Sequence, residues 1–97
     1  MRQFDIVRLK GGQLAVILQA DLLDDRETRV VAPLFPKSEI LPTARLHPIV
    51  RVGRRDYIMA TEKMSAILKV DLDRVVGSLE AREYELRRAL DLVFIGV

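Results

Sequence analysis

Few side chains in this 97-residue sequence could do covalent chemistry, and they are scattered. His47 is the single histidine, set between Leu46 and Pro48. There is no cysteine, which removes a zinc finger, a thiol nucleophile and a disulfide scaffold. The serines are Ser38, Ser65 and Ser78. None lies in the Gly-x-Ser-x-Gly turn that exposes a nucleophile, and nothing places His47 as its base. Asp21, Asp24 and Asp25 are close in sequence, but they lack the alternating acid spacing and the distal bidentate Glu of a calcium loop. Turn capping accounts for them better. Gly11-Gly12 is not followed by the Lys-Ser/Thr that a phosphate loop requires. Tyr57 and Tyr84 stand alone and give no stacking platform for bases. The expectation is a chain with no catalytic residue, no metal site and no cofactor.

The elements that would position any site follow from periodicity. Phe4–Leu9 is rich in aromatic and β-branched residues and predicts a first strand. Gly11-Gly12 suits a tight hairpin, because glycine takes positive φ without a Cβ clash. Leu14–Gln19 is then the returning strand. Arg29–Leu34 predicts a third strand, with Pro33 marking its end at an edge or a bulge. The segment from Pro36 to Pro48 is irregular, with a short extended piece at Glu39–Leu41. Ile49–Val52, a turn at Gly53-Arg54-Arg55-Asp56 and Tyr57–Ala60 predict a second hairpin. Thr61–Ser65 reads as a turn or a single helical turn, and Ile67–Val70 as a last short strand. From Ser78, a plausible helix N-cap, the apolar period becomes helical. Leu79, Leu86, Leu90, Val93, Phe94 and Val97 share one side. Several short strands and one terminal helix predict a mainly β fold, a small barrel or sheet capped by a helix. Residues 1–97 form one domain in this reading, with Met59 and Met64 filling the core or a dimer interface.

Lys+Arg number 16 against 14 Asp+Glu. The cations are interleaved with acids, which argues against a phosphate-tracking surface and for a solvated or protein-facing one. No apolar stretch approaches the ~20 residues of a membrane span, and the first residues lack the apolar core of a signal peptide. A soluble, cytoplasmic protein is expected. The unusual feature is the string Leu92-Val93-Phe94-Ile95-Gly96-Val97. Core packing and a protein-binding tip both account for it. Ile95 points away from Leu90, Val93 and Phe94, so it should be at least partly exposed.

Three collinear blocks resemble the CcdB family of bacterial toxins. They are Gln19–Asp24 with Arg29–Leu34, Leu46–Gly53 with Met59-Ala60-Thr61 and Met64, and Arg82-Glu83 with Ala89–Val97. The resemblance covers essentially the whole chain. It implies an SH3-like barrel of the CcdB/MazF type with a C-terminal helix, assembled as a homodimer. Family members are toxins of toxin–antitoxin modules, associated with plasmid maintenance. They bind the A subunit of DNA gyrase and trap it on cleaved DNA without covalent chemistry. A CcdA-like antitoxin wraps and extracts them with a disordered, acidic segment. The resemblance carries the gyrase-facing role onto Leu22, Leu23, Asp91, Ile95, Gly96 and Val97, with Glu83 and Phe94 in support. It implies neither membrane binding nor sequence-specific binding of nucleic acid. Ile95 stands where the well-studied members have a tryptophan that stacks on an arginine of gyrase, and Asp91 replaces a neutral amide. A MazF- or Kid-type endoribonuclease shares the fold. It would need an acid–base pair in the barrel groove, drawn from Arg29, Asp24 or His47. A non-toxic, antitoxin-binding homologue is the third reading.

Overall fold

The computed structural model describes residues 1–97. Seven strands and one helix follow in order: β1 (Asp5–Leu9), β2 (Leu14–Ile17), β3 (Thr28–Pro36), β4 (Ile49–Val52), β5 (Arg55–Met59), β6 (Ser65–Leu68), β7 (Leu72–Ser78) and α1 (Glu83–Phe94). Single 3-10 turns at Asp21–Leu23, Lys37–Glu39, Thr61–Lys63, Lys69–Asp71 and Glu80–Arg82 join several of them. The strands form one curled antiparallel sheet in the order β4-β5-β3-β2-β1-β7, with β6 also on β3. The mainly β architecture with a C-terminal helix is therefore as expected.

β3 organises the sheet. One edge carries β2, with Ala15 opposite Pro33. The other edge is shared by β5, from Pro36 to Leu34, and β6, from Val31 to Thr28. Leu34 faces Met59 and Val31 faces Ser65, so three steps along β3 correspond to six on the partner. The 3-10 turn Thr61–Lys63 absorbs the surplus. Pro33 sits in that gap. Its missing N–H is not needed there, and its carbonyl accepts the Ala60 N–H at 3.0 Å. β3 consequently runs on to Pro36 instead of ending near Pro33.

The pleat explains why the inner strands are apolar on both faces. β2 is buried at every residue. Leu14 and Val16 join Phe4, Ile6, Leu34, Val50, Met59 and Leu86 beneath α1. Ala15 and Ile17 join Val7, Val31 and Leu72 on the opposite face, where the sheet curls over itself. Met59 is in the first cluster and Met64 packs against its rim.

Five sequence expectations need correction. Glu39–Leu41 forms no strand; a 3-10 turn covers Lys37–Glu39, and Ile40 after it is extended. The second hairpin is tighter than expected, since Val52 pairs directly with Arg55 and Gly53 takes the positive φ, +64°. β6 begins at Ser65, and β7 was not expected at all. It pairs with β1, and Asp73, Arg74 and Val75 are exposed along it. Finally, Ser78 closes β7 instead of capping α1. Its hydroxyl does accept the Glu80 N–H at 3.2 Å, but the α-helix starts only at Glu83.

Candidate functional site

α1 is anchored at its start and free at its end. Leu86 and Ala89 are fully buried, and Leu90 packs against the first cluster. Phe94 is 71% exposed and Val97 73%, so the last two positions of the expected apolar stripe leave the core. Ile95, at 70%, is exposed as expected.

The tip nevertheless has a defined conformation. The Ile95 and Gly96 N–H groups both donate to the Asp91 carbonyl, at 2.7 and 3.1 Å. Gly96 has φ +86°, the left-handed closure that only glycine adopts without strain. A Cβ there would meet nothing within 4 Å, so the backbone angle alone selects glycine. The last turn holds no basic residue. The helix carbonyls and the exposed Asp91 carboxylate therefore leave this end negative.

Leu22 and Leu23 lie on the 3-10 turn Asp21–Leu23, 88% and 40% exposed. The Gln3 N–H donates to Asp21 Oδ1 at 2.7 Å. Gln3 and Phe4 in turn line a shallow depression with Arg87, Leu90 and Asp91. One short segment therefore separates the leucine turn from the helix end. That segment is held firmly. Phe4 is buried at φ +70°, an unfavourable angle for an aromatic residue. Three contacts fix it: its N–H on the Ile17 carbonyl (2.6 Å), its carbonyl under the Leu79 N–H (2.8 Å), and its ring in the core.

The expected residues are not all brought together. The Gln3–Phe4 segment touches the turn that carries Leu22 and Leu23 through Asp21 and shares a depression with Asp91, whereas Phe94, Ile95, Gly96 and Val97 extend beyond that depression as the exposed chain end. Glu83 begins α1 and pairs with Arg87 at 3.1 Å, about 16 Å along the helix axis from Phe94.

The residues considered for chemistry make hydrogen bonds that hold loops in place. His47 Nδ1 accepts the Thr43 N–H at 2.9 Å, and its Nε2 lies 2.9 Å from a Glu62 carboxylate oxygen. Because Nδ1 accepts, Nε2 carries the ring proton and donates it to Glu62. The Thr61 hydroxyl donates to the Leu46 carbonyl at 2.6 Å. Together they fasten the 43–48 loop to the 61–63 turn. The Arg29 guanidinium donates to the carbonyls of Arg26, Thr28 and Asp24. His47 shares no hydrogen bond or hydrogen-bond partner with Arg29 or Asp24. No cluster of His, Cys, Asp and Glu could hold a metal ion, and no helix is long and apolar enough to cross a membrane.

The model of the CcdB protein family matches residues 3–96. Among solved structures, a toxin of Mycobacterium tuberculosis superposes with a TM-score of 0.78 at 18% identity, covering 92% of this chain and 99% of its own. The M. tuberculosis toxin MazF-mt6 gives 0.77 at 19% identity, covering 96% of each chain. A mycobacterial endoribonuclease solved with its cognate antitoxin gives 0.77 at 14% identity, covering 96% of this chain and 93% of its own. At such identities the likeness is one of fold. The family match spans nearly the whole chain, and the chain belongs to the CcdB family.

Proposed function

We propose that this CcdB-family chain is the toxin of a type II toxin–antitoxin system, a single domain that binds the A subunit of DNA gyrase without catalysing a reaction. The observation that carries the reading is the ordered, exposed apolar tip Phe94–Val97, closed by left-handed Gly96; Leu22 and Leu23 add a second exposed apolar turn, tied through Asp21 to Gln3, which lines a depression with Asp91. Apolar side chains in a fixed backbone lose little entropy on binding. A tryptophan at Ile95 would add a guanidinium–aromatic contact worth roughly 0.5–2 kcal/mol. Ile95 lacks that face. Asp91, one turn back at the negative end of the helix, offers an arginine of the partner a carboxylate instead.

The same reading assigns a homodimer and a CcdA-like antitoxin as partners, in the cytoplasm. β6 supports the dimer, since its outer edge is unpaired and Leu68 and Val70 are exposed beside it. The use of His47 and Arg29 as loop fasteners supports a mechanism by binding over an endoribonuclease.

The test is calorimetry of the purified chain with purified gyrase A subunit. The intact chain binds, and a variant lacking residues 95–97 loses at least 100-fold in affinity while melting within about 2 °C of the parent. Ile95→Trp gains about tenfold, the equivalent of ~1.4 kcal/mol. No heat of binding from the intact, folded chain would overturn the gyrase assignment, and cleavage of single-stranded RNA by the pure protein would replace it.

A further inference from the structure

Arg29 is the only charged residue in the buried interior, at 4% exposure. It has no carboxylate partner. Nη1 donates to the carbonyls of Arg26 (2.8 Å) and Thr28 (3.0 Å), and Nη2 to that of Asp24. A guanidinium has five N–H donors. Three are used, which leaves Nε–H and one Nη2 hydrogen without a protein acceptor. Nε is not sealed away, because the sole enclosed side-chain nitrogen without any partner is Arg8 Nε. Arg29 instead opens on a cavity of about 300 Å³ lined by Met1, Asp24, Arg29, Lys69 and Leu72. Lys69 enters from the 3-10 turn after β6, with Nζ 3.5 Å from the same Asp24 carbonyl that Arg29 holds. It too is in no ion pair. Asp24 is the one acid in the lining, and its carboxylate bonds to neither cation.

Two unneutralised cations therefore converge on one carbonyl oxygen, Arg29 from the buried interior, where charge interactions are strong, and Lys69 from the exposed side. We propose that this cavity binds a single phosphate group, either free inorganic phosphate or the phosphate of a mononucleotide. A phosphate dianion balances both cations. Its tetrahedral oxygens can accept the spare donors of Arg29 together with those of the ammonium. The remaining walls, Met1 and Leu72, hold no ring on which a base could stack, so recognition ends at the phosphate. The inference stands apart from gyrase binding and survives or fails on its own.

The experiment follows the Arg29 Nε–H resonance of the full chain by heteronuclear NMR at constant ionic strength. Inorganic phosphate, then adenosine 5′-monophosphate, is titrated against a chloride control. The resonance shifts saturably with phosphate. Lys69→Gln, a surface change, weakens binding at least fivefold with an unaltered melting temperature. Equal affinity for both probes identifies free phosphate as the ligand, and tighter binding of the mononucleotide identifies the nucleotide. The proposal is overturned by an unresponsive Arg29 signal, by undiminished binding in Lys69→Gln, or by a response to a glutamate-rich peptide and not to phosphate. Arg29→Lys is the weaker probe, because it also cuts the three carbonyl bonds that hold the 24–28 turn.

Discussion

At the start of α1, Arg82 holds Glu85 and Arg87 holds Glu83 at 3.1 Å. At its end, Phe94 leads into Ile95 and Val97, and Asp91 is the only charged side chain of the last turn. Burial falls along the apolar stripe, from a fully covered Leu86 through half-buried Leu90 and Val93 to exposed Phe94. The two ends share one helical period but obey different constraints. The first half is selected by the core it must fill and the second by what it can touch outside. An apolar pattern thus says which side chains share a face, and the extent of the sheet beneath decides how much of that face is covered.

Truncation should separate the two halves. Leu86→Ala removes a side chain with no exposed area and should cost about 3 kcal/mol in urea unfolding. Ile95→Ala, the same kind of change at the tip, should cost under ~0.5 kcal/mol. Equal losses at the two sites would mean that the tip is part of the core after all. Next in size is Gly96→Ala, which forces a Cβ into a left-handed backbone. It should cost roughly 1 kcal/mol, seen as faster amide exchange at Ile95 and Gly96 with Leu86 still protected. The smallest effect belongs to Glu83→Ala. Loss of its exposed i,i+4 pair should cost about 0.3–0.5 kcal/mol and vanish in molar salt. A larger loss there would show that the charged end does more than decorate the surface.

The sequence was most informative where one period dominated. The two hairpins, the turn at Thr61 and the terminal helix all follow from alternation and glycine placement, and the helical spacing foretold an exposed Ile95. β7 was hidden because it is an edge strand. Asp73 and Arg74 face solvent and interrupt the apolar signal, while Leu72 alone reaches deeply inward. Pro33 misled in the opposite direction. A proline argues against a strand interior, but the partner's 3-10 turn leaves no ladder bond for it to break. Of the candidate site, the exposed tip could be anticipated from its apolar string. The pairing of the leucine turn with the helix end could not, because it runs through Gln3 and the left-handed Phe4. The Arg29 cavity was equally invisible. Nothing in a sequence distinguishes an arginine that bonds three carbonyls from one that meets an acid.

β3 also sets the order in which the molecule can assemble. Its outer edge closes only when Leu68 reaches Thr28, and the outer edge of β1 waits for Ser78 to reach Asp5. Most of the sheet is thus stitched by contacts between residues tens of positions apart, which places folding in the slow regime of β-rich domains. On the ribosome, the strands up to β5 emerge with two of their edges still unsatisfied. That interval is when the nascent chain is most prone to pair with another copy of itself.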